Sequence, residues 1–346
     1  MNLDGPLLDP QSGVSLPSQF DLMKRSGVES VRTTFNWSDA QPYGSWNDVP
    51  LDRAGDFENG VGGVPTDFAE TDLIVTRAVQ HGLMVFPTVI YAPKWDAAPH
   101  SGMALNAPRS NGPYTDYLAT LIHRYGPSGS FWVAHPRLPK RPIRMWAIWN
   151  EPWLYYYWPR KPFASTYVAL LSASHTAIKR ADPGAKVALA GMPNASWKAF
   201  KDLIGVDHVN KAFDVVDVHP YTKYPAGVIE ILSRVRTAMN RAGDASKTMI
   251  AGELGWNSSL HETKNIFDWD TTPTGQARNI RALFPLLAAN RSKLRLTAFY
   301  WYTWMGEQDR GGSPWGFAGL VGYHNGNVFT KPALSAFTQA AHAIER

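Results

Sequence analysis

Strand-like and helix-like segments alternate along this chain from end to end, and that alternation limits the fold more than any single motif does. Short β-branched or apolar runs at 29–35, 83–90, 143–149, 186–190, 215–219, 248–252 and 296–302 read as strands. A helical pattern at 17–26 precedes the first of them, and helical stretches at 67–81, 114–125, 164–181, 227–242, 274–290 and 332–344, with a weak one at 196–204, fall between and after the others. Repeated strand–helix units in one run imply parallel pairing with right-handed crossovers. No Ser/Gly-rich linker or low-complexity break interrupts them, so residues 1–346 are expected to form a single domain. Seven strands are one short of a closed ring. The expectation is an α/β fold, a (β/α)8 TIM barrel whose first strand, at or before Met1 to Asp4, is short or partly trimmed at the N-terminus. A doubly wound open sheet is the competitor, but no Gly-x-Gly-x-x-Gly follows a first strand.

A barrel of this kind places its chemistry at the C-terminal ends of its strands, and one such end carries a pointed signal. In the stretch Met145-Trp-Ala-Ile-Trp-Asn-Glu-Pro-Trp153, an apolar run meets its first charge where Pro152 removes a backbone donor and stops the ladder. Asn150 and Glu151 are thereby left at a strand mouth. The same pattern recurs in Thr248-Met-Ile-Ala-Gly-Glu-Leu-Gly-Trp256, where Glu253 is the lone charge. Two carboxyl groups converging on an apolar, aromatic-rich rim suit hydrolysis of a glycosidic bond: one acid, kept neutral by burial and by its like-charged neighbour, protonates the leaving oxygen, while the other stays ionised.

Other chemistries lack their signatures. There is no cysteine, so thiolate ligands and disulfides are ruled out. The ten histidines are scattered and His-Glu-x-x-His, Gly-x-Ser-x-Gly and a phosphate loop are missing, so neither a metal nor a cofactor is expected. Thirty-four basic against 29 acidic residues leave a spread charge of +5, without the concentrated stripe that nucleic acid requires. No apolar run reaches the ~20 residues of a membrane span. The polar start is not a signal peptide, so the expectation is a secreted or extracytoplasmic protein whose leader has been removed, with the cytoplasm as the alternative. Oligomeric state is not legible.

Ile148-Trp-Asn-Glu-Pro152, His219-Pro-Tyr221, Gly252-Glu253 and Phe299-Tyr-Trp-Tyr-Thr-Trp304, together with Arg124-Tyr-Gly-Pro127 and Ser313-Pro-Trp-Gly316, resemble the clan A retaining glycoside hydrolases, most of all family 39 and next family 5. The resemblance runs over nearly the whole chain. It implies Glu151 as acid/base after the fourth barrel strand and Glu253 as nucleophile on the seventh. It implies Asn150 as the amide that binds the sugar 2-hydroxyl and Arg32 as the cation beside the nucleophile. Tyr221 is then a hydrogen-bond donor to Glu253, His219 a support of the same wall, and Trp301 or Trp304 the stacking floor. Trp37, Trp95, Trp153 and Trp256 follow strand ends and are further candidates for substrate contact; Trp153 departs from the familiar Asn-Glu-Pro-Asn. The implied activity is retaining hydrolysis of a β-linked oligo- or polysaccharide in an extended groove. The alternatives are a catalytically silent carbohydrate-binding barrel and a transglycosylase using the same two glutamates.

Overall fold

The computed structural model describes residues 1–264, 267–309 and 312–344. Its centre is a curled parallel sheet whose strands lie in chain order. These are β1 (Ser30–Asn36), β2 (Met84–Ile90), β3 (Met145–Ile148), β4 (Lys186–Ala188), β5 (Val215–His219), β6 (Thr248–Leu254) and β7 (Leu296–Trp301). A short extended piece, Met192–Pro193, also pairs with β5 at Val218 and His219. Around the sheet run α1 (Leu16–Arg25), α2 (Ala69–Gln80), α3 (Asn111–Tyr125), α4 (Phe163–Ala181), α5 (Ser196–Ile204), α6 (Pro225–Arg241), α7 (Pro273–Leu294) and α8 (Pro332–Ile344). The helix ends follow local chemistry: α2 stops where Gly82 adopts φ 72°, and Thr272 caps α7 by accepting from the Gly275 N–H. Among the described residues, no helix is long and apolar enough to cross a membrane.

The ring closes in an economical way. Met1, Asn2 and Leu3 fill the position of a first strand between β7 and β1. The Asn2 N–H donates to the Trp301 carbonyl at 2.9 Å, the Arg32 N–H to the Met1 carbonyl at 2.7 Å, and the Leu3 N–H to the Arg32 carbonyl at 2.9 Å. The Asn2 amide adds a side-chain lock, donating to the Gly252 carbonyl at 2.9 Å and to the Trp301 carbonyl at 3.2 Å. With this stub counted as the first strand, Glu151 follows the fourth and Glu253 lies near the end of the seventh.

Strand parity divides the barrel interior into layers. Phe86, Ala147, Ala188, Val215, Ile250 and Tyr300 pack as one buried cluster. Two residues further along their strands come Thr88, Asp217 and Gly252, and beyond these the mouth. The outward faces of the strands meet the helices through aromatic contacts; Phe35 packs against Tyr125 at 5.7 Å and against Trp146 at 6.5 Å between ring centroids. An apolar floor beneath a polar mouth gives the strands one dry end and one reactive end.

Because the Asn2 side chain ties β6 to the stub, Asn2→Ala should lower the unfolding free energy by about 1–3 kcal/mol, the cost of taking the amide donor from the Gly252 carbonyl and the acceptor from Arg32. Urea denaturation checks this, and an unchanged midpoint would contradict the closure described here.

Candidate active site

The mouth of the barrel gathers ionisable groups from four strands. Arg32 on β1 is 6% exposed and forks: one guanidinium nitrogen donates to Glu253 Oε1 at 2.7 Å and to Asn2 Oδ1 at 2.8 Å, the other to Asn150 Oδ1 at 3.0 Å. Tyr221 donates to the second Glu253 oxygen at 3.0 Å. His219, wholly buried at the end of β5, sets Nδ1 2.8 Å from Glu151 Oε1 and 3.6 Å from Glu253 Oε2. One oxygen of Glu151, one of Glu253 and a His219 ring nitrogen all lie within 4.8 Å of one another.

The backbone around Glu151 is unusual for non-glycine residues. Trp149 has φ 70° and Glu151 φ 41°, and Tyr91, just past the end of the neighbouring β2, has φ 68°. Left-handed conformations cost such residues about 1–3 kcal/mol each and persist where the surroundings over-determine them. Here the Trp149 N–H donates to the Val89 carbonyl and its indole to the Tyr157 carbonyl, while the Glu151 N–H donates to the Gly191 carbonyl at 3.1 Å. These bonds turn the chain after β3 so that, before Pro152, Asn150 lines the cavity and Glu151 meets His219.

The two glutamates sit in opposed electrostatic settings. Burial raises the pKa of Glu151, and the charge of Glu253 adds to that; the bond to His219 offsets part of it. For Glu253 burial works the same way, but the charges of His219 and Arg32 and the hydrogen bonds from Tyr221 and Arg32 outweigh it and hold the carboxyl below the ordinary range. His219 is desolvated, yet Glu253, Glu151 and Asp217 together push it above the usual imidazole value. The arrangement therefore pushes the two carboxyl groups apart, Glu151 above and Glu253 below the ordinary range. A His-Glu-Glu cluster has the donor chemistry of a divalent cation site, but the guanidinium 2.7 Å from Glu253 already supplies the positive charge and repels a second one.

The cavity over these groups measures about 100 Å³ and is lined by Arg32, Asn150, Glu253, Tyr91, Tyr157 and Tyr302, among others. It shares Asp4 and Tyr302 with an adjoining space of about 380 Å³ that runs past Trp315. A larger apolar groove of about 470 Å³ lies at the other end of the barrel, among Val28, Leu296 and Phe337, and contains none of the mouth residues.

Several tryptophans expected at the mouth are elsewhere. Trp37, Trp256, Trp301 and Trp304 are at most 1% exposed, and each spends its indole N–H internally: on Gln41 Oε1, the Thr222 carbonyl, the Ala318 carbonyl and Gln19 Oε1. They are core residues and present no ring face to a ligand. Trp95 is half-buried against Trp37 and donates to the Gln41 carbonyl, so it also serves packing. Trp153 is half-exposed beside the mouth, next to the more open Tyr155 and Tyr156. Three tyrosines line the cavity instead, Tyr91, Tyr157 and Tyr302; the hydroxyl of Tyr302 donates to Asp4 and its ring stands edge-on to Trp315 at 5.4 Å. Parity carries the signal that identifies Tyr302: Ala298 and Tyr300 pack in the barrel interior, so 302 faces inward too, while Phe299 points out against Phe284. Asn2 and Asp4 are the other mouth residues that the strand pattern does not reveal.

No protein-family profile and no curated protein matches the sequence. Solved structures do match in shape. A family 39 β-xylosidase from Caulobacter crescentus aligns with a TM-score of 0.66 at 18% identity over 98% of this chain and 69% of its own. A family 39 glycoside hydrolase from Bacteroides cellulosilyticus aligns at 0.64, with 16% identity over 94% of this chain and 60% of its own. A family 5 mannosidase from Rhizomucor miehei aligns at 0.59, with 14% identity over 99% and 92%. Likeness at this identity establishes the fold, a (β/α)8 barrel.

Removing the cation exposes what it balances. Arg32→Met should cost about 3–5 kcal/mol at neutral pH by leaving the Glu253 carboxylate buried without its partner. A carboxyl whose pKa is depressed on folding stabilises the fold above its unfolded pKa and loses that contribution as pH falls through the folded value. The deficit of Arg32→Met should therefore narrow on acidification below about pH 4; a deficit independent of pH in denaturant titrations would contradict the pairing.

Proposed function

We propose that the protein is a retaining glycoside hydrolase acting on β-linked oligo- or polysaccharide. The observation that carries this reading is the approach of two glutamates, one with its pKa raised and one with its pKa lowered, to within 4.8 Å at the barrel mouth. Retaining glycosidases keep their carboxyl groups about 5–5.5 Å apart, whereas inverting ones leave about 6.5–9.5 Å for a water. The barrel folds of the family 39 and family 5 structures are consistent with it.

In this reading Glu253 attacks the anomeric carbon as Glu151 protonates the departing oxygen, and a glycosyl ester forms on Glu253. Esterification removes the negative charge from Glu253. The pKa of Glu151 then falls, and its carboxylate takes a proton from the water that hydrolyses the ester. Arg32 and Tyr221 hold one Glu253 oxygen each, fixing the carboxylate plane. Because Arg32 occupies the Asn150 oxygen, the amide NH2 is left to donate into the cavity, where a sugar 2-hydroxyl would sit. Tyr302 offers the stacking face. The space continuing past Asp4 toward Trp315 supports a cleft with room for more than one sugar.

Glu253→Ala and Glu151→Gln should each lower turnover of a glycoside by several orders of magnitude. Azide separates the two roles: it should rescue Glu253→Ala with inversion, giving the α-azide, and Glu151→Ala with retention, giving the β-azide. Unchanged turnover in either variant, or rescue with the opposite stereochemistry, would remove the residue from its role.

A further inference from the structure

Beneath the two glutamates lies a third carboxyl group with no part in the scheme above. Asp217 and His219 are two residues apart on β5, so both side chains enter the barrel, Asp217 one layer deeper, and both are completely buried. Asp217 Oδ1 accepts the Gly252 N–H at 2.7 Å. Among the described residues its Oδ2 has no hydrogen-bond partner; it stands 3.9 Å from His219 Nε2, which has none there either. Two glycines leave the room for this pair: a Cβ on Gly252 would fall 2.3 Å from the Asp217 carboxyl oxygens, and one on Gly191 would fall 1.9 Å from His219 Nε2.

Accepting one backbone N–H does not require a carboxyl group; an amide or hydroxyl oxygen does it without the penalty of burying a charge. What the carboxyl adds is its charge, and the groups that feel it are few. Asp217 is faced by His219 on its own strand, Arg32 from β1, Glu253 from β6, and the phenols of Tyr167 on α4 and Tyr300 on β7. His219 is faced by Glu253 and Glu151 above and by Asp217 below. Burial favours a neutral Asp217, while His219 and Arg32 work against that.

We propose that Asp217 is a positioning residue of this site: its carboxylate, sealed under the ring, holds His219 as an imidazolium with the Nδ1–H aimed at Glu151. An imidazole protonated only at Nε2 would turn a lone pair toward Glu151 and oppose the carboxylate formed there when the proton leaves. The imidazolium receives that carboxylate with a charged donor, and Asp217 acts on the chemistry through it. The catalytic consequence rests on the glycosidase reading; the charge relation between Asp217 and His219 does not.

Asp217→Asn keeps an acceptor for the Gly252 N–H and removes the charge, so it separates the two roles. The midpoint of His219 is read by nitrogen NMR of the labelled imidazoles, with the resonances assigned by their loss in His219→Gln. Wild-type His219 should titrate above the ordinary imidazole midpoint, and Asp217→Asn should lower that midpoint by on the order of 1–3 pH units. On a glycoside that the protein turns over, kcat should fall more than KM rises, and a limb of the pH–rate profile should move with the His219 midpoint. An unchanged midpoint in a natively folded Asp217→Asn variant overturns the proposal. A wild-type His219 that is already neutral at pH 6 overturns it as well, without recourse to any variant. Failure of the glycosidase reading would show differently, as no turnover of any glycoside while His219 still responds to Asp217.

Discussion

A single buried guanidinium holds this structure's mouth together. Arg32 bonds to Asn2, to Asn150 and to Glu253, so one side chain joins the stub that closes the ring, the turn after β3 and the carboxylate on β6. A cation so deep in the barrel is tolerable only with an anion against it, and Glu253 is tolerable there only with a cation. Ring closure and the charge state of the site are therefore parts of one interaction. The stub adds only three residues, yet their backbone and the Asn2 amide reach β1, β6 and β7 at once.

Around that pair, two identical carboxyl groups diverge through their surroundings alone. Glu253 takes donors from Arg32 and Tyr221, which favour its ionised form. Glu151 has His219 as its charged neighbour and the like charge of Glu253 nearby, in a setting dominated by burial. In low-dielectric surroundings such differences are large, and proximity couples the pair: a change of charge on one moves the other. That coupling is what a two-step displacement needs, since the proton donor of the first step must become the proton acceptor of the second.

Much of the barrel is legible in the sequence because parallel strands buried on both faces make short continuous apolar runs, and β2, β5 and β6 are of this kind. Asn150 and Glu151 stand out because Pro152 stops the strand, and Glu253 because it is the single charge in its run. The rest is hidden for physical reasons. A three-residue strand has no periodicity to detect, so Asn2 and Asp4 carry no signal. Trp301 and Tyr302 differ in facing by one step of parity, and a strand end uncertain by one residue exchanges a core tryptophan for a cavity tyrosine. Asp217 lies inside Val215-Val-Asp-Val-His219, where an isolated acid gives no hint that its partner is two residues away on the same face. The small sheet of β8 (Met305–Glu307), β9 (Val321–His324) and β10 (Asn327–Thr330) is likewise unannounced by the strand–helix rhythm.

In the proposed reaction the carboxylate gripped by Arg32 forms a bond to sugar. Incubation with activated 2-deoxy-2-fluoro glycosides, followed by mass spectrometry of the intact protein and its peptides, tests it most directly. The expected result is a mass increase of one fluorosugar, located on the peptide that contains Glu253. A label on any other residue, or steady turnover of these compounds with inverted products and no adduct, would contradict it.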